Sequence, residues 1–256
     1  MVSIIMLVHN ARDYTIHSIK TLKKTNTKLK YELIVVDNDS TLKTKKTLEK
    51  LEKKGYIDKI ISLRENTMFA RGNNIGVNLA SGELVLLLNS DIEIRNSRWL
   101  DILVKQYEKG AVSYGVCDNY PHVRGDGYCF LIDKVLYKKY KLDENFEWWW
   151  SVTKLQAQLL KDGYKVKAIR NHNDLLFHYG GMSGNAWKNS KGMQVEGKEV
   201  ESWFEENNIE IIEKVNFEKV DRCFSKYNLI NIKYNIRKQY VKMKRNIKNR
   251  LTRRSK

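Results

Sequence analysis

The stretch "SGELVLLLNSDIEI", residues 81–94, decides the fold class of this chain. Its apolar run, residues 84–88, leaves no polar face, which is typical of a buried strand in a parallel sheet. The run ends abruptly in Asn89, Ser90 and Asp91. Open α/β sheets bind ligands beyond the carboxyl ends of their strands, so Asp91 is a candidate site residue from its position alone.

Two earlier stretches have the same form. Residues 2–8 and 32–36 predict buried strands, and each ends in a polar cluster that contains Asn10 in the first case and Asp37 and Asp39 in the second. Carboxyl ends of parallel strands share one edge of a sheet, so these side chains are expected to converge with Asp91. Each could instead only cap a helix or end a strand.

Apolar residues recur at helical spacing between these strands, in residues 13–24, 42–54 and 69–80. This alternation predicts an α/β fold whose mostly parallel sheet has helices on both faces. The second half is predicted to be a mixed α+β extension. A single proline, Pro121, and no Gly/Ser-rich linker argue against a cleanly separated second domain.

The net charge of +17 is concentrated in the tail, because residues 231–256 hold eleven basic residues and no acidic one, which leaves +6 for the rest. Apolar residues recur there every three or four positions, at Ile232, Ile236, Tyr240, Met243, Ile247 and Leu251. The pattern predicts a basic amphipathic helix that binds an anionic membrane surface. A solvated helix and an oligomerisation element are the alternatives. Nucleic-acid binding ranks last, because the body carries no nucleic-acid motif.

The three cysteines, Cys117, Cys129 and Cys223, form no C-x-x-C pair and no metal-like spacing with histidine. Neither a disulfide framework nor a zinc site is predicted, and a reducing compartment is expected. No basic-then-apolar leader precedes the first strand, and no apolar run approaches the ~20 residues that cross a bilayer. The expected location is cytoplasmic, or peripheral on the cytoplasmic membrane face.

The glycine-containing stretch "ENTMFARGNNIGVNLASG", residues 65–82, matches neither a dinucleotide-binding fingerprint nor a P-loop. Gly72 and its neighbours could bring the backbone close to a ligand or merely form a turn.

Five stretches together resemble the inverting family 2 glycosyltransferases of GT-A fold: "VSIIMLVHN", "ELIVVDNDS", "FARGNNIGVNLASGELVLLLNSDIEI", "GDGYCFLI" and "LLFHYGGMSG". The resemblance implies a metal-dependent enzyme of polysaccharide biosynthesis. It would move a sugar from a UDP-, dTDP- or GDP-linked donor to a glycan or lipid-linked acceptor. The resemblance covers roughly residues 1–185. The predicted organisation is a domain of residues 1–215, with a nucleotide-binding half (1–95) and an acceptor half (96–215), followed by the basic amphipathic helical tail (216–256).

The resemblance carries roles to individual positions. Asp91 matches the last aspartate of the D-x-D motif, and His178 matches a histidine that adds a metal contact, so Mn²⁺ or Mg²⁺ is the expected cofactor. Without the resemblance, His178 could be an ordinary core histidine. The residues implied in donor binding are Asn10, Asp37, Asp39, Arg71, Gly72, Asn74, Asn89 and Ser90.

The family's acidic pair, which supplies the general base for inverting transfer, falls at Ser151 and Val152. Neither side chain can accept the proton. Of the carboxylates just upstream, Glu147 is the predicted replacement. A displaced base, a different acceptor chemistry and a protein that binds a donor without transferring it are all left open.

Three consecutive tryptophans, Trp148, Trp149 and Trp150, lie at the start of a helix predicted from about residue 150 to residue 161. They are predicted to bind the acceptor, because an indole ring stacks well on a sugar or a lipid. The alternative is that two of them pack inside and one covers the surface.

Overall fold

The computed structural model describes residues 1–184, 186–218 and 228–254. The chain divides into two compact units, Met1–Cys223 and Phe224–Lys256. Of the residues singled out from the sequence, Cys223 lies outside the described part.

The first unit alternates strands and helices through its amino-terminal half and mixes them afterwards. Its strands are β1 (Val2–Val8), β2 (Tyr31–Asn38), β3 (Lys59–Leu63), β4 (Leu84–Leu88), β5 (Ile92–Ile94), β6 (Gly110–Tyr114), β7 (Val116–Cys117), β8 (Arg124–Gly125), β9 (Cys129–Asp133), β10 (Lys165–Ile169), β11 (Leu176–His178) and β12 (Glu210–Ile212). Its helices are α1 (Arg12–Leu22), α2 (Leu42–Lys53), α3 (Met68–Asn78), α4 (Trp99–Gln106), α5 (Lys134–Tyr140), α6 (Trp149–Lys161) and α7 (Gly197–Phe204), with a 3₁₀ turn at Ala186–Asn189.

The central sheet has the strand order β12-β10-β6-β9-β4-β1-β2-β3. Strand β9 runs antiparallel to both of its neighbours, β4 and β6, whereas the other pairs in this sheet are parallel. Strand β4 is therefore an inner strand with both edges hydrogen-bonded, and Val85 to Leu88 are buried. The prediction of a mostly parallel α/β sheet is confirmed.

Helix α3 lies directly on strands β1 and β2 through two glycines. A Cβ atom at Gly76 would lie 2.5 Å from a methyl of Ile5 and 2.8 Å from a methyl of Val36. A Cβ atom at Gly72 would lie 2.5 Å from a δ-methyl of Leu7. The two glycines, one helical turn apart, thus allow the helix to approach the sheet closely.

A small second sheet lies beyond the end of strand β4. Strand β5 pairs antiparallel with β11, and the register places His178 opposite Ile92. The hydroxyl of Ser18 on helix α1 accepts a hydrogen bond from the Ile92 N–H at 3.0 Å. This pairing brings residue 178 next to residue 91, although 87 positions separate them in the chain.

Helix α5 was not predicted from the sequence. It follows β9 directly, and its N-cap residue Asp133 accepts hydrogen bonds from the backbone N–H groups of Val135 and Leu136. Its seven residues make two turns, too short for an apolar period to be recognised.

The second unit contains helix α8 (Leu229–Arg254), where the sequence predicts a basic amphipathic helix. Several large apolar side chains of this helix are exposed: Leu229, Ile232, Ile236, Tyr240, Val241 and Met243. None of the helices in the described residues combines the length and the hydropathy needed to cross a bilayer.

Candidate functional site

A cavity of about 300 Å³ opens at the carboxyl ends of strands β1, β2 and β4. Its wall takes polar residues from these ends, aromatic residues from the start of helix α6, and residues of the turn before β9. The residues lining it are Leu7, His9, Asn38, Asn66, Met68, Phe69, Asn89, Ser90, Asp91, Asp126, Gly127, Tyr128, Trp148, Trp149, Val152, His178, Gly181, Ser183, Gly184 and Trp187. The volume is at the lower end of the range for small-molecule sites.

The buried Asp91 and the half-buried His178 form a pair in the wall of this cavity. His178 Nε2 lies 3.1 Å from Asp91 Oδ1, and the Met182 N–H donates to Asp91 Oδ2 at 3.2 Å. Burial alone would raise the pKa of Asp91, but the neighbouring imidazole and these hydrogen bonds lower it below the usual value. Burial would likewise lower the pKa of His178, and the Asp91 carboxylate raises it instead. The two groups therefore stabilise each other as an ion pair.

The donor atoms of this pair suit a divalent cation. A carboxylate oxygen and an imidazole nitrogen that already face each other are a ligand combination that Mn²⁺ accepts. The Asn89 side-chain nitrogen lies 3.3 Å from the same imidazole nitrogen, so the amide oxygen of Asn89 is the atom that could ligate a cation. Among the described residues, no group of three or more His, Cys, Asp or Glu side chains is arranged to hold a metal. A cation bound here would take its remaining ligands from water or a substrate.

The His178 ring is held from one side by Tyr128. The two rings stack with centroids 4.2 Å apart and planes inclined by 23°. The Tyr128 hydroxyl is hydrogen-bonded to His172 Nε2, and His172 Nδ1 lies within 2.9 Å of the carbonyl oxygens of Ile169 and Arg170. This chain of contacts fixes the orientation of the imidazole that faces Asp91.

Three of the predicted donor-binding residues lie at the ends of β1 and β2 but do not line the cavity. Asp37 is fully buried; one of its oxygens accepts the Ser40 N–H at 3.0 Å, and the other has no hydrogen-bond partner among the described residues. Asn10 Oδ1 accepts the Thr41 N–H at 3.0 Å. Asp39 is exposed and lies 3.6 Å from Lys45. The cavity wall at this edge is formed instead by His9 and Asn38, their sequence neighbours.

The residues predicted on helix α3 have other contacts. Gly72 packs against Leu7, so its lack of a side chain allows helix α3 to approach the sheet. Asn74 accepts hydrogen bonds from the Tyr137 hydroxyl and the Leu142 N–H and donates to the Leu142 carbonyl oxygen, which fixes the segment after α5. Arg71 is exposed and pairs with Glu65 at 3.4 Å. By contrast, the predicted residues Asn89, Ser90, Asp91 and His178 do meet in the cavity.

The Glu147 carboxylate does not line the cavity. Its Oε2 atom accepts the Lys191 N–H at 2.7 Å, and its carbonyl oxygen accepts the N–H groups of Phe69 and Ala70. Glu147 thus joins the loop before α6 to the start of α3, an arrangement that argues against its predicted role as general base. Val152, where the resemblance expects an acid, is buried and lines the cavity.

The three tryptophans separate into two groups. Trp148 and Trp149 line the cavity, and the Trp149 ring, 41% exposed, lies 5.7 Å from that of Trp187. Trp150 points elsewhere: its indole N–H donates to the Met193 carbonyl oxygen at 3.2 Å, and its ring lies 5.1 Å from the Arg124 guanidinium. Only the first two are placed to bind a ligand in this cavity.

Sequence reasoning missed several residues of the cavity wall. Asp126 lies inside the quoted stretch "GDGYCFLI", and its acidic side chain between two glycines was the available signal. Asn38 and Asn66 are hydrogen-bonded to each other at 2.8 Å, a contact that needs the folded chain. Trp187 comes from the 3₁₀ turn after β11, and no local pattern connects it to Trp149.

The fold and the acidic end of strand β4 define the GT-A class of glycosyltransferase folds. The chain belongs to glycosyl transferase family 2, whose model matches residues 3–174. This match covers β1 to the residues just before β11, so it includes Asp91 but ends before His178.

A curated relative, an uncharacterized glycosyltransferase of Haemophilus influenzae, is 32% identical over 109 residues. The alignment covers 43% of this chain and 33% of that protein, so this chain matches about a third of the relative's length.

Two solved structures share the fold at low identity. The mannosyltransferase PcManGT of Pyrobaculum calidifontis, in complex with GDP-Man and Mn²⁺, has a TM-score of 0.57 and 18% identity, over 66% of this chain and 55% of that one. S. aureus TarS has a TM-score of 0.54 and 17% identity, over 66% of this chain and 35% of that one. Likeness at this level of identity shows the fold alone.

Proposed function

We propose that this chain is a glycosyltransferase that moves a sugar from a UDP-, dTDP- or GDP-linked donor to a hydroxyl group of a glycan or lipid-linked acceptor, with inversion at the anomeric carbon. The observation that carries the proposal is the pair of Asp91 and His178 in the wall of an aromatic-lined cavity, at the sheet edge where α/β proteins bind nucleotides. Membership of glycosyl transferase family 2 supports the same reaction class.

The polar residues of the cavity are proposed to bind the metal, and its aromatic residues to contact the sugar. Asp91, His178 and Asn89 would hold Mn²⁺ or Mg²⁺, which, when bound, stabilises negative charge on the leaving diphosphate. PcManGT binds both Mn²⁺ and a nucleotide sugar, which supports this assignment by fold. The faces of Trp148 and Trp149 offer apolar surface to a sugar ring and exclude water from the reacting bond.

The test is donor turnover. The purified protein is incubated with UDP-, dTDP- and GDP-sugars and either Mn²⁺ or Mg²⁺, and the released nucleoside diphosphate is measured, because slow hydrolysis needs no acceptor. We expect release with one donor and its loss in Asp91→Ala. Metal-independent release, or release that Asp91→Ala retains, contradicts the proposal.

A second candidate function is a binding protein that has lost transfer. Ser151 and Val152, which replace the family's acidic pair, favour it. Such a protein would release no nucleoside diphosphate from any donor in the turnover assay. It would still bind a nucleotide in the presence of the metal, as measured by calorimetry.

We also propose that helix α8 attaches the protein to the cytoplasmic face of a membrane. The exposed apolar side chains of Ile232, Ile236, Tyr240 and Met243 recur at helical spacing among basic residues, and the segment 231–256 has no acidic residue. Each Lys or Arg near an anionic surface contributes about 1 kcal/mol. Flotation with vesicles that contain phosphatidylglycerol should recover the protein at low salt, and neutral phosphatidylcholine vesicles should not. Equal recovery with both, or none with either, refutes this attachment.

A further inference from the structure

We propose that Asp126 is the general base of the transfer reaction, in place of the acidic pair that the family carries on helix α6. This inference rests on the proposed function. Asp91 and Asp126 are the acidic residues that line the cavity within the described part of the chain. Asp91 is engaged with His178 and the Met182 N–H at the expected cation site, whereas Asp126 stays outside that pair and is the acidic residue placed to meet an acceptor.

The position of Asp126 is the strongest argument. The next residue, Gly127, lies against Val152: a Cβ atom at Gly127 would come within 3.0 Å of a Val152 methyl. Val152 is where the family's acid would stand. The turn before β9, which carries Asp126, therefore packs against Val152, the residue at the position of the family's acid. Asp126 thus lines the same part of the cavity as Val152.

The turn is held rigidly on its other side. Gln156, one helical turn after Val152, accepts the Gly125 N–H at 2.7 Å and donates to the Gly125 carbonyl oxygen at 3.0 Å. The Asp126 N–H donates to the Gly115 carbonyl oxygen at 3.0 Å. Helix α6 does not supply the carboxylate itself, but its Gln156 fixes the backbone next to Asp126. This contact keeps the Asp126 carboxylate in place for proton transfer.

The surroundings keep Asp126 close to the reacting region without making it a metal ligand. Its carboxylate accepts a hydrogen bond from the Cys117 thiol, whose pKa is raised to about 12 by burial and by the Asp126 charge, so the thiol remains a donor. Burial would lower the pKa of His178, but the Asp91 carboxylate and, to a smaller extent, the Asp126 charge raise it, so Asp126 lies within electrostatic reach of the cation site. It does not join Asp91 and His178 in a three-ligand cluster.

In the proposed transfer step, an Asp126 oxygen takes the proton of the acceptor hydroxyl while the hydroxyl oxygen forms a bond to the anomeric carbon. The bond from that carbon to the diphosphate oxygen breaks, and its electron pair leaves with the nucleoside diphosphate. Water can replace the acceptor hydroxyl, which gives hydrolysis by the same path.

The experiment compares Asp126→Asn with Glu147→Gln, the rival base, and with Asp174→Asn, which removes an exposed carboxylate outside the cavity. Nucleoside diphosphate release from the accepted donor is measured, and binding of UDP or GDP with Mn²⁺ is measured separately by calorimetry. Removing a general base typically costs about 10²–10⁴-fold in rate, so Asp126→Asn should lose that much while nucleotide affinity stays within about threefold. Asp174→Asn should match the wild-type protein.

Sodium azide distinguishes a general base from a residue that only maintains the structure, because azide would not restore activity lost through a structural defect. Azide attacks the anomeric carbon without giving up a proton, so it should restore release in Asp126→Asn and yield a glycosyl azide, detected by mass spectrometry. Retained release in Asp126→Asn, a parallel loss of nucleotide affinity, or a loss that azide leaves uncorrected overturns this inference alone. A wild-type protein that turns over no donor overturns the proposed function and this inference with it.

Discussion

Replacing Gly76 by alanine should destabilise the protein, although alanine is the better helix former. Gly76 lies in helix α3, where the gain in helix propensity is about 1 kcal/mol. The new Cβ atom would meet methyl carbons of Ile5 and Val36 at 2.5 and 2.8 Å, far inside contact distance. Both are buried β-branched side chains in central strands, so they cannot rotate away.

Overpacking of this kind costs about 1–3 kcal/mol, and the close double contact puts Gly76→Ala at the upper end. After the propensity gain, the net loss should be about 1–2 kcal/mol. For a domain of this size, each kcal/mol lowers Tm by about 2–4 °C, so the expected decrease is about 2–8 °C. Thermal unfolding followed by circular dichroism measures it directly.

Two controls make the reasoning refutable. Gly72→Ala meets the δ-methyls of Leu7, the flexible end of a half-buried side chain that lines the cavity, so it should cost less than Gly76→Ala. Asn78→Ala changes an exposed residue of the same helix and should alter stability by no more than about 0.5 kcal/mol. A Gly76→Ala variant as stable as the wild-type protein would show that α3 does not depend on close contact with the sheet.

The remaining predictions concern acid stability and the tryptophans. Burial alone would raise the pKa of Glu32, but hydrogen bonds from the Ser3 hydroxyl and Lys59 lower it to about 2. A carboxylate with a lowered pKa stabilises the fold above its unfolded pKa and loses that contribution as pH falls through the folded value. Between pH 5 and 3 the free energy of unfolding of the wild-type protein should therefore fall by about 1 kcal/mol more than that of Glu32→Gln, allowing for solvent screening of Lys59. Urea titrations at both pH values measure these losses, and equal losses would refute the prediction. Trp150→Ala should cost about 2–3 kcal/mol, because its half-buried ring packs against the cluster between α6 and α7. Trp149→Ala should cost less than about 1 kcal/mol and impair turnover instead, and the reverse order contradicts the assignment.

The amino-terminal half of the fold could be predicted because its signals are local. Residues 84–88 are apolar on both faces and end in a polar cluster, so the inner position of β4 and the site at Asp91 follow from the pattern itself. The pairing of β5 with β11 is not local, so only a family resemblance could connect His178 with Asp91.

Other features depended on which way a side chain points. Glu147 is in the right part of the sequence for a general base, but its carboxylate turns to the Lys191 N–H. Asp126 stands between two glycines in the sequence, but its place in the cavity depends on the turn before β9 packing against Val152, which the sequence does not show. Gly72 lies in a stretch that resembles a donor-binding element, yet its contact is with Leu7, and no sequence pattern separates a packing glycine from a ligand-binding one.

The insertion of β9 beside β4 has a practical consequence for fragments of this protein. A truncated chain that ends at residue 95 would keep β1 to β5 but lose β9, the partner of β4 on one side. Leu84 to Leu88 would then form an open apolar edge with unpaired N–H and C=O groups, which is a template for aggregation. The two predicted halves share one sheet and cannot be separated between residues 95 and 96 without creating a fragment prone to associate with copies of itself.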